Sequence, residues 1–340
     1  MEADEVREGL TLFIRRQTDA GAVGIENLVR LSGGASRETW AFDASIEEAE
    51  GQRREELIFR CDPFEGTPIS AGRALEHQLI SAAWEAGVVV PEPRWDGDET
   101  FPVEFFVMKR VPGEALGSRL IRGDRYERAR GLLPGQLARS LARVHTIRKA
   151  DHPELGTLPG PEPGVSPAKS EVELWEKHYR ASMPNPHPVL ELAFRWLRAS
   201  LPQAGAETLV HGDYRLGNFL YTEEGLQGVV DWELAHWGDP MEDLGWLSVR
   251  SWRFGGKEPV AGLAPREEFF RLYEEEGGLP VDRDRVRFWE VFGNLRWGVI
   301  TIAQAMAYIF GQSKSVELAS IGRRTAETEC ELLNLIEESA

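Results

Sequence analysis

Between Leu209 and Glu233 the chain reads LVHGDYRLGNFLYTEEGLQGVVDWE, a stretch whose local geometry has few alternatives. Asp213 stands two residues after His211 and five before Asn218, and Asp231 follows Asn218 by thirteen. The apolar run Thr208 to Val210 predicts a strand that hands the chain to a loop carrying Asp213. A second strand begins with NFLY, the turn TEEG reverses it, and LQGVV leads back to Asp231. Such a hairpin places Asn218 and Asp231 at the same end of the sheet. Two oxygen ligands so placed suit a hard, octahedral cation such as Mg²⁺ against a triphosphate. Asp213 is then left to orient a hydroxyl and accept its proton as a phosphoryl group leaves. A lone Asp-Asn pair is ordinarily a solvated loop; the combined spacing carries the chemistry.

The pattern HGDxxxxN followed by DWE resembles the aminoglycoside phosphotransferase and choline kinase group. These are relatives of protein kinases in which HGD takes the place of the HRD catalytic loop and the Asp of DWE that of DFG. The strings LSGGASRETW, HGDYRLGN, VVDWELAHWGDPMEDLGW and LRWGVI are similar to a large bacterial branch of that group, and to the kinase-like domain fused to some acyl-CoA dehydrogenases. The resemblance covers essentially the whole chain. It implies an α+β, bilobal, protein-kinase-like fold: a nucleotide-binding N-lobe over residues 1–110, with an antiparallel sheet and one principal helix, and a larger, mainly helical C-lobe over 111–340. It also implies ATP, with GTP as the alternative nucleotide, and Mg²⁺ in the cleft, and transfer of the γ-phosphoryl group to a hydroxyl of a small molecule. In that scheme Asp213 is the catalytic base, Asn218 and Asp231 hold the metal, and His211 braces the loop.

Near the N-terminus Val6, Leu10, Phe13 and Ile14 recur at helical spacing. A strand near Glu26 to Leu31, the turn SGGAS and the strand ETWAFDA follow. Glycine lets backbone N–H groups approach phosphates closely, which makes Gly33, Gly34 and Ser36 candidate nucleotide-loop residues; an ordinary hairpin turn reads the same way. In ELIFRCD the alternation sets Arg60 opposite to Phe59 and Cys61. The resemblance puts at Arg60 the cation that binds the α- and β-phosphates, usually a lysine; a guanidinium keeps the charge and adds a bidentate fork. A helix from about Ala71 to Ala86 carries Glu76, which by resemblance pairs with Arg60. FPVEFFVMKRV, ending at VPGEAL, resembles the inter-lobe hinge, where adenine would bond the backbone carbonyl of Lys109 and the N–H of Val111, with Met108 behind the base.

Beyond the hinge, helices are expected from Tyr126 to about Lys149 (Leu132, Leu137, Leu141 and Val144 apolar), Glu171 to Ser182 and Pro188 to Ser200. Three more are expected at Arg266 to Glu276, Arg283 to Gly311 and Ser315 to Glu338. The Pro- and Gly-rich segment from His152 to Ser170 reads as a loop or linker. By resemblance Asp243 is a buried anchor of the catalytic loop, and Trp246, Trp252, Trp289 and Trp297 are candidates to line the acceptor pocket, although each taken singly reads better as core.

A net charge of -17 argues against nucleic-acid or anionic-membrane partners, which need a basic footprint; the partner that the resemblance implies is a small-molecule hydroxyl acceptor. Cys61 and Cys330 lack metal-ligand spacing and read as reduced, buried thiols. The charged opening MEADEVREGLTLFIRRQTDA is not an export signal, and Trp297 to Gly311 is too short to span a bilayer and reads as a buried helix, so a cytoplasmic protein is expected. Aminoglycosides, a hydroxyacyl thioester and choline-like amino alcohols all remain open as acceptors, and nothing in the sequence sets an oligomeric state. A nucleotide-binding pseudokinase is the alternative class; intact Asp213, Asn218 and Asp231 argue against it.

Overall fold

The computed structural model describes residues 2–31, 38–49, 51–62, 72–183 and 185–338. Gly33, Gly34 and Ser36 of the candidate nucleotide loop lie outside the described residues. Helix α1 (Ala3–Thr18) turns Val6, Leu10, Phe13 and Ile14 to one side, and all four are fully buried. They rest on a sheet of β1 (Ala22–Arg30), β2 (Glu38–Glu48), β3 (Gly51–Cys61), β4 (Pro93–Asp96) and β5 (Phe105–Lys109), with α2 (Arg73–Glu85) between β3 and β4. Neighbouring strands run antiparallel in the order β1-β2-β3-β5-β4.

The period-2 alternation of the strands splits the N-lobe into two cores. Trp40, Phe42, Leu57, Phe59, Cys61, Phe105 and Val107 pack under α1. Their neighbours Ala41, Ile58, Phe106 and Met108 face the other way, joining Leu79 and Ile80 of α2 in a core continuous with the C-lobe. Arg60 follows Ile58 by two and shares that second face, which fixes its direction before any ligand is considered.

The C-lobe contains α3 (Gly117–Arg122), α4 (Glu127–Val144), α5 (Pro167–Ser182), α6 (Pro188–Ala199), β6 (Thr208–Val210), β7 (Phe219–Thr222), β8 (Gly225–Val229) and β9 (His236–Gly238). After these come α7 (Met241–Ser248), α8 (Arg266–Glu275), α9 (Arg283–Ile309), α10 (Val316–Ile321) and α11 (Thr325–Glu337). The architecture is bilobal and α+β, as expected. β7 and β8 form the predicted hairpin, with Phe219 opposite Val229. Among the described residues no helix is long and apolar enough to cross a membrane.

Several expectations are corrected. Helix α4 ends at Val144 rather than near Lys149, because the next residues tighten into i to i+3 bonds and the Ile147 carbonyl accepts the N–H of Leu209 in β6 at 3.0 Å. Its apolar stripe runs through Leu133, Leu137 and Leu141 at four-residue steps; Leu132 lies off that stripe and is exposed. The helix expected from Ser315 to Glu338 is broken by a 3₁₀ turn over Gly322–Arg324, where Gly322 lies so close to α9 that a Cβ would stand 2.5 Å from that of Ala305. The last turn of α9 is not buried: Tyr308, Ile309 and Phe310 are exposed. The segment after His152 is pinned rather than a free linker: Leu155 is fully buried, Pro159 O accepts the N–H of Trp237 at 2.8 Å, and Ser166 already caps α5. Both cysteines are free thiols, but only Cys61 is buried, its thiol pushed up to about 12 chiefly by burial; Cys330 is exposed.

Candidate active site

The candidate catalytic loop begins where β6 ends. Gly212 has φ +76°, and a Cβ there would lie 2.2 Å from Leu234 O, so glycine is required on both counts. The backbone N–H groups of His211 and Gly212 donate to Asp243 at 2.8 and 3.0 Å. Asp243, fully buried on α7, also contacts His145 Nε2 at 3.2 Å, whose Nδ1 meets the Tyr273 hydroxyl at 2.7 Å. Burial opposes the charge on Asp243, but the hydrogen bond and charge of His145, with support from His211, hold its carboxyl below the usual range. One buried carboxylate thus satisfies two N–H donors of the loop. The imidazole of His211 packs on Trp232 with centroids 4.5 Å apart; burial lowers its pKa, which favours the uncharged ring, and Nδ1 accepts the Asp213 N–H at 3.2 Å.

The side chain of Asp213 is held from three directions. Oδ1 accepts from Arg215 Nε at 2.9 Å and from the indole Nε1 of Trp246 at 2.9 Å, while Oδ2 accepts from Asn218 Nδ2 at 2.6 Å. The same Asn218 nitrogen lies 2.9 Å from the Asp213 carbonyl. With its nitrogen committed, Asn218 has its amide oxygen as the atom that could hold a cation. Val230 N–H donates to Asn218 O at 2.9 Å, which ties the start of the hairpin to its end and brings Asn218 and Asp231 together as the spacing predicted. Asp231 adopts φ 68°, a left-handed conformation that is uncommon outside glycine, and its side chain stays one-third exposed. A hard cation facing an amide oxygen and an accessible carboxylate would find donors it prefers.

Across the cleft, Arg60 Nε lies 2.8 Å from Glu76 Oε1, and Arg60 Nη2 lies 3.6 Å from Asp231 Oδ1. The predicted Arg60–Glu76 pair is therefore present, but Glu76 has a second partner. Arg73, fully buried at the start of α2, grips Glu76 Oε2 and donates from Nε to Asp62 Oδ1 at 2.9 Å. An alternating chain of Asp62, Arg73, Glu76, Arg60 and Asp231 runs from the lobe interior to the mouth of the cleft.

At the expected hinge, Met108 is buried on the same face of the sheet as Arg60. The N–H of Lys109 goes to Glu92 O at 2.9 Å and that of Arg110 to Glu56 O at 2.8 Å; Val111 is the next residue along. Lys109 Nζ reaches Glu92 Oε2 at 2.5 Å. Gly113, at φ +127°, lets the chain pass Tyr221, and Glu114 and Tyr221 exchange both backbone hydrogen bonds at 3.0 Å.

Arg215 and the indole of Trp246 were not anticipated as partners of Asp213. Arg215 had a signal in the sequence, being a cation two residues after the aspartate within the same loop. Of the four tryptophans suggested as pocket walls, Trp246, Trp252 and Trp289 are buried; Trp289 donates to Asp239 at 3.0 Å, and Trp246, Trp252 and Trp297 pack together. A cavity of about 800 Å³, lined by Arg250, Phe254, Asn294, Arg324, Cys330 and Glu331, adjoins the turn that carries Trp252, and among the described residues none of the predicted site residues lines it.

Residues 27–289 match the phosphotransferase enzyme family. The chain is 26% identical over 287 residues to acyl-CoA dehydrogenase family member 10 of Mus musculus, which takes in 79% of this chain and 26% of that protein, so the chain spans about a quarter of that relative's length. Among solved structures, a Ralstonia eutropha protein provisionally described as an aminoglycoside phosphotransferase superposes with a TM-score of 0.76 at 21% identity, covering 97% of this chain and 98% of the other. A thermostable mutant of aminoglycoside phosphotransferase APH(4)-Ia, in ternary complex with ADP and hygromycin B, superposes with a TM-score of 0.58 at 15% identity, over 98% and 99% of the two chains. These structural likenesses show the fold, and the match over residues 27–289 shows the kinship: this chain belongs to the phosphotransferase enzyme family.

Proposed function

We propose that this chain is an ATP- and Mg²⁺-dependent phosphotransferase that moves the γ-phosphoryl group to a hydroxyl of a small molecule. The observation that carries the reading is the convergence of Asp213, Asn218, Asp231 and Arg60 on one cleft, with Asp213 tied to Asn218 at 2.6 Å and Asp231 standing 3.6 Å from Arg60. Family membership and a relative captured with ADP and hygromycin B support a nucleotide and a small-molecule acceptor. Residues 1–110 would bind the nucleotide and 111–340 would supply the catalytic loop and the acceptor site. Adenine, or guanine in the alternative, would bond the Lys109 carbonyl and the Val111 N–H against Met108. Gly33, Gly34 and Ser36 would cover the phosphates, and Arg60, oriented by Glu76, would clamp them. Asn218 and Asp231 would hold Mg²⁺, which supplies neutralisation of charge across the phosphates. Asp213 orients the acceptor hydroxyl and receives its proton, because a loose transition state needs alignment more than covalent help.

The test is to incubate purified protein with Mg²⁺ and ATP or GTP against a library of hydroxylated metabolites and aminoglycosides, and to follow nucleoside diphosphate release. Metal-dependent release stimulated by an acceptor is expected. Nucleotide binding without turnover under any condition would move the protein to the pseudokinase class.

A further inference from the structure

We infer that Trp246 is a positioning residue for Asp213: with Arg215 it commits Oδ1, so that Oδ2 is the oxygen that meets the acceptor hydroxyl. The inference rests on the reading of Asp213 as the catalytic base. A carboxylate has about four lone-pair sites, two on each oxygen. Among the described residues, Oδ1 receives Arg215 Nε and Trp246 Nε1, both at 2.9 Å, while Oδ2 receives Asn218 Nδ2 at 2.6 Å. Oδ1 is filled. One site on Oδ2 is left, and it is the one that can accept a proton without displacing a protein donor.

The indole is held where it is by its surroundings. A Cβ on Gly293 of α9 would lie 2.8 Å from Val249 Cγ2 and 3.1 Å from Trp246 Cε3, so glycine there makes room for the ring and for the valine beside it. The guanidinium of Arg296, itself 3.3 Å from the buried Glu242, lies 4.7 Å from the ring centroid, and Trp252 packs at 5.1 Å. Arg215 in turn lies over Trp252 at 4.5 Å, so both donors to Oδ1 rest on one aromatic platform. A buried indole N–H needs an acceptor as much as a buried carboxylate needs donors, so each fixes the other. An immobile carboxylate keeps the hydroxyl in a near-attack geometry, where small misplacements are costly.

Trp246→Phe removes the N–H and keeps an aromatic ring. The probe is Mg²⁺-ATP with water as acceptor, followed as single-turnover ADP formation, with ADP affinity measured on the same preparation. Trp246→Phe should slow ADP formation on the order of tenfold, as expected when a buried acceptor loses a donor, and leave ADP affinity unchanged. In an Asp213→Asn background the same substitution should add nothing, because its effect runs through that carboxylate. Gly293→Ala, which crowds the indole without changing its chemistry, should slow the reaction with the same dependence on background, and it serves where Trp246→Phe fails to fold. A parental rate in Trp246→Phe beside an impaired Asp213→Asn overturns the brace alone. Equal losses in both backgrounds overturn it too, since they mark a packing role. A parental rate in Asp213→Asn overturns the reading of Asp213 as the base, and the brace with it.

Discussion

The two ends of the cleft hold their working groups by different means. At the proposed phosphate end Arg60 is the last cation of an alternating chain in which Asp62, Arg73 and Glu76 lie behind it and Asp231 in front. At the proposed hydroxyl end Asp213 is held by an indole N–H, an amide N–H and one guanidinium, and its loop hangs on the buried Asp243. Alternating charges fix a group through their field, and they can be rebalanced when a polyanion arrives. Directional donors fix one particular oxygen in space. The difference matches the proposed tasks, since phosphate binding would need charge at the right depth and hydroxyl activation an atom at the right point.

Asp231 stands where the two arrangements meet, so its loss should be the most severe. Asp231→Asn should reduce turnover on the order of 10³, comparable with removing a principal transition-state charge stabiliser, and should weaken Mg²⁺-ADP binding more than binding of ADP alone. Asparagine tolerates the left-handed backbone at φ 68°, so the unfolding temperature should hold. Titrating both ligands by calorimetry checks this, and an unchanged preference for the metal complex would take Asp231 out of the metal site. Asp213→Asn should cost on the order of 10² or more in phosphoryl transfer with nucleotide affinity intact. If nucleotide binding falls as well, the hydroxyl end is not separable from the phosphate end, and the contrast between the two ends fails.

Arg60→Ala probes the other side. Glu76 keeps Arg73 as a partner, so removing Arg60 does not leave a buried carboxylate without a counter-charge, and the fold should survive. The apparent KM for ATP should rise on the order of tenfold, the loss of one charge-assisted contact to phosphate, while kcat changes less. Arg60→Lys should restore part of the affinity, since charge is what this end requires. Steady-state kinetics with varied ATP separate the outcomes, and a defect confined to the acceptor would contradict the clamp.

What the sequence made legible follows the same division. The hairpin from Asn218 to Asp231 could be read because strand alternation and turn chemistry act over a few residues, and Arg60 could be aimed from its neighbours Phe59 and Cys61. The role of Arg73 was hidden, because a charged residue opening a helix ordinarily faces solvent, and its burial depends on Asp62 and Glu76 closing around it. Trp246 was hidden more deeply: its bond to Asp213 spans 33 residues and depends on α7 and α9 meeting closely at Gly245 and Gly293. Local periodicity carries no information about that packing.

The smallest effect is expected at Lys109, where the proposed nucleotide contact belongs to the backbone and the side chain is occupied elsewhere. Its Nζ lies 2.5 Å from Glu92, and with the lysine side chain 44% exposed such a pair is worth at most about 1 kcal/mol. The hydrogen bond from Lys109, aided by its charge and by Arg94 and opposed by burial, draws the Glu92 carboxyl below its ordinary value of 4.5. A carboxyl depressed in the folded state contributes stability that is complete above its unfolded value and disappears as the pH falls through the lowered folded one. Lys109→Ala should therefore lower stability by less than about 1 kcal/mol at neutral pH. Urea unfolding curves of parent and variant should converge as the pH falls below 4.5. ADP affinity should not change. A stability difference that persists in acid would assign the loss to packing of the lysine stem, and a weakened affinity for ADP would show that the side chain, rather than the backbone carbonyl, reads the nucleotide at the hinge.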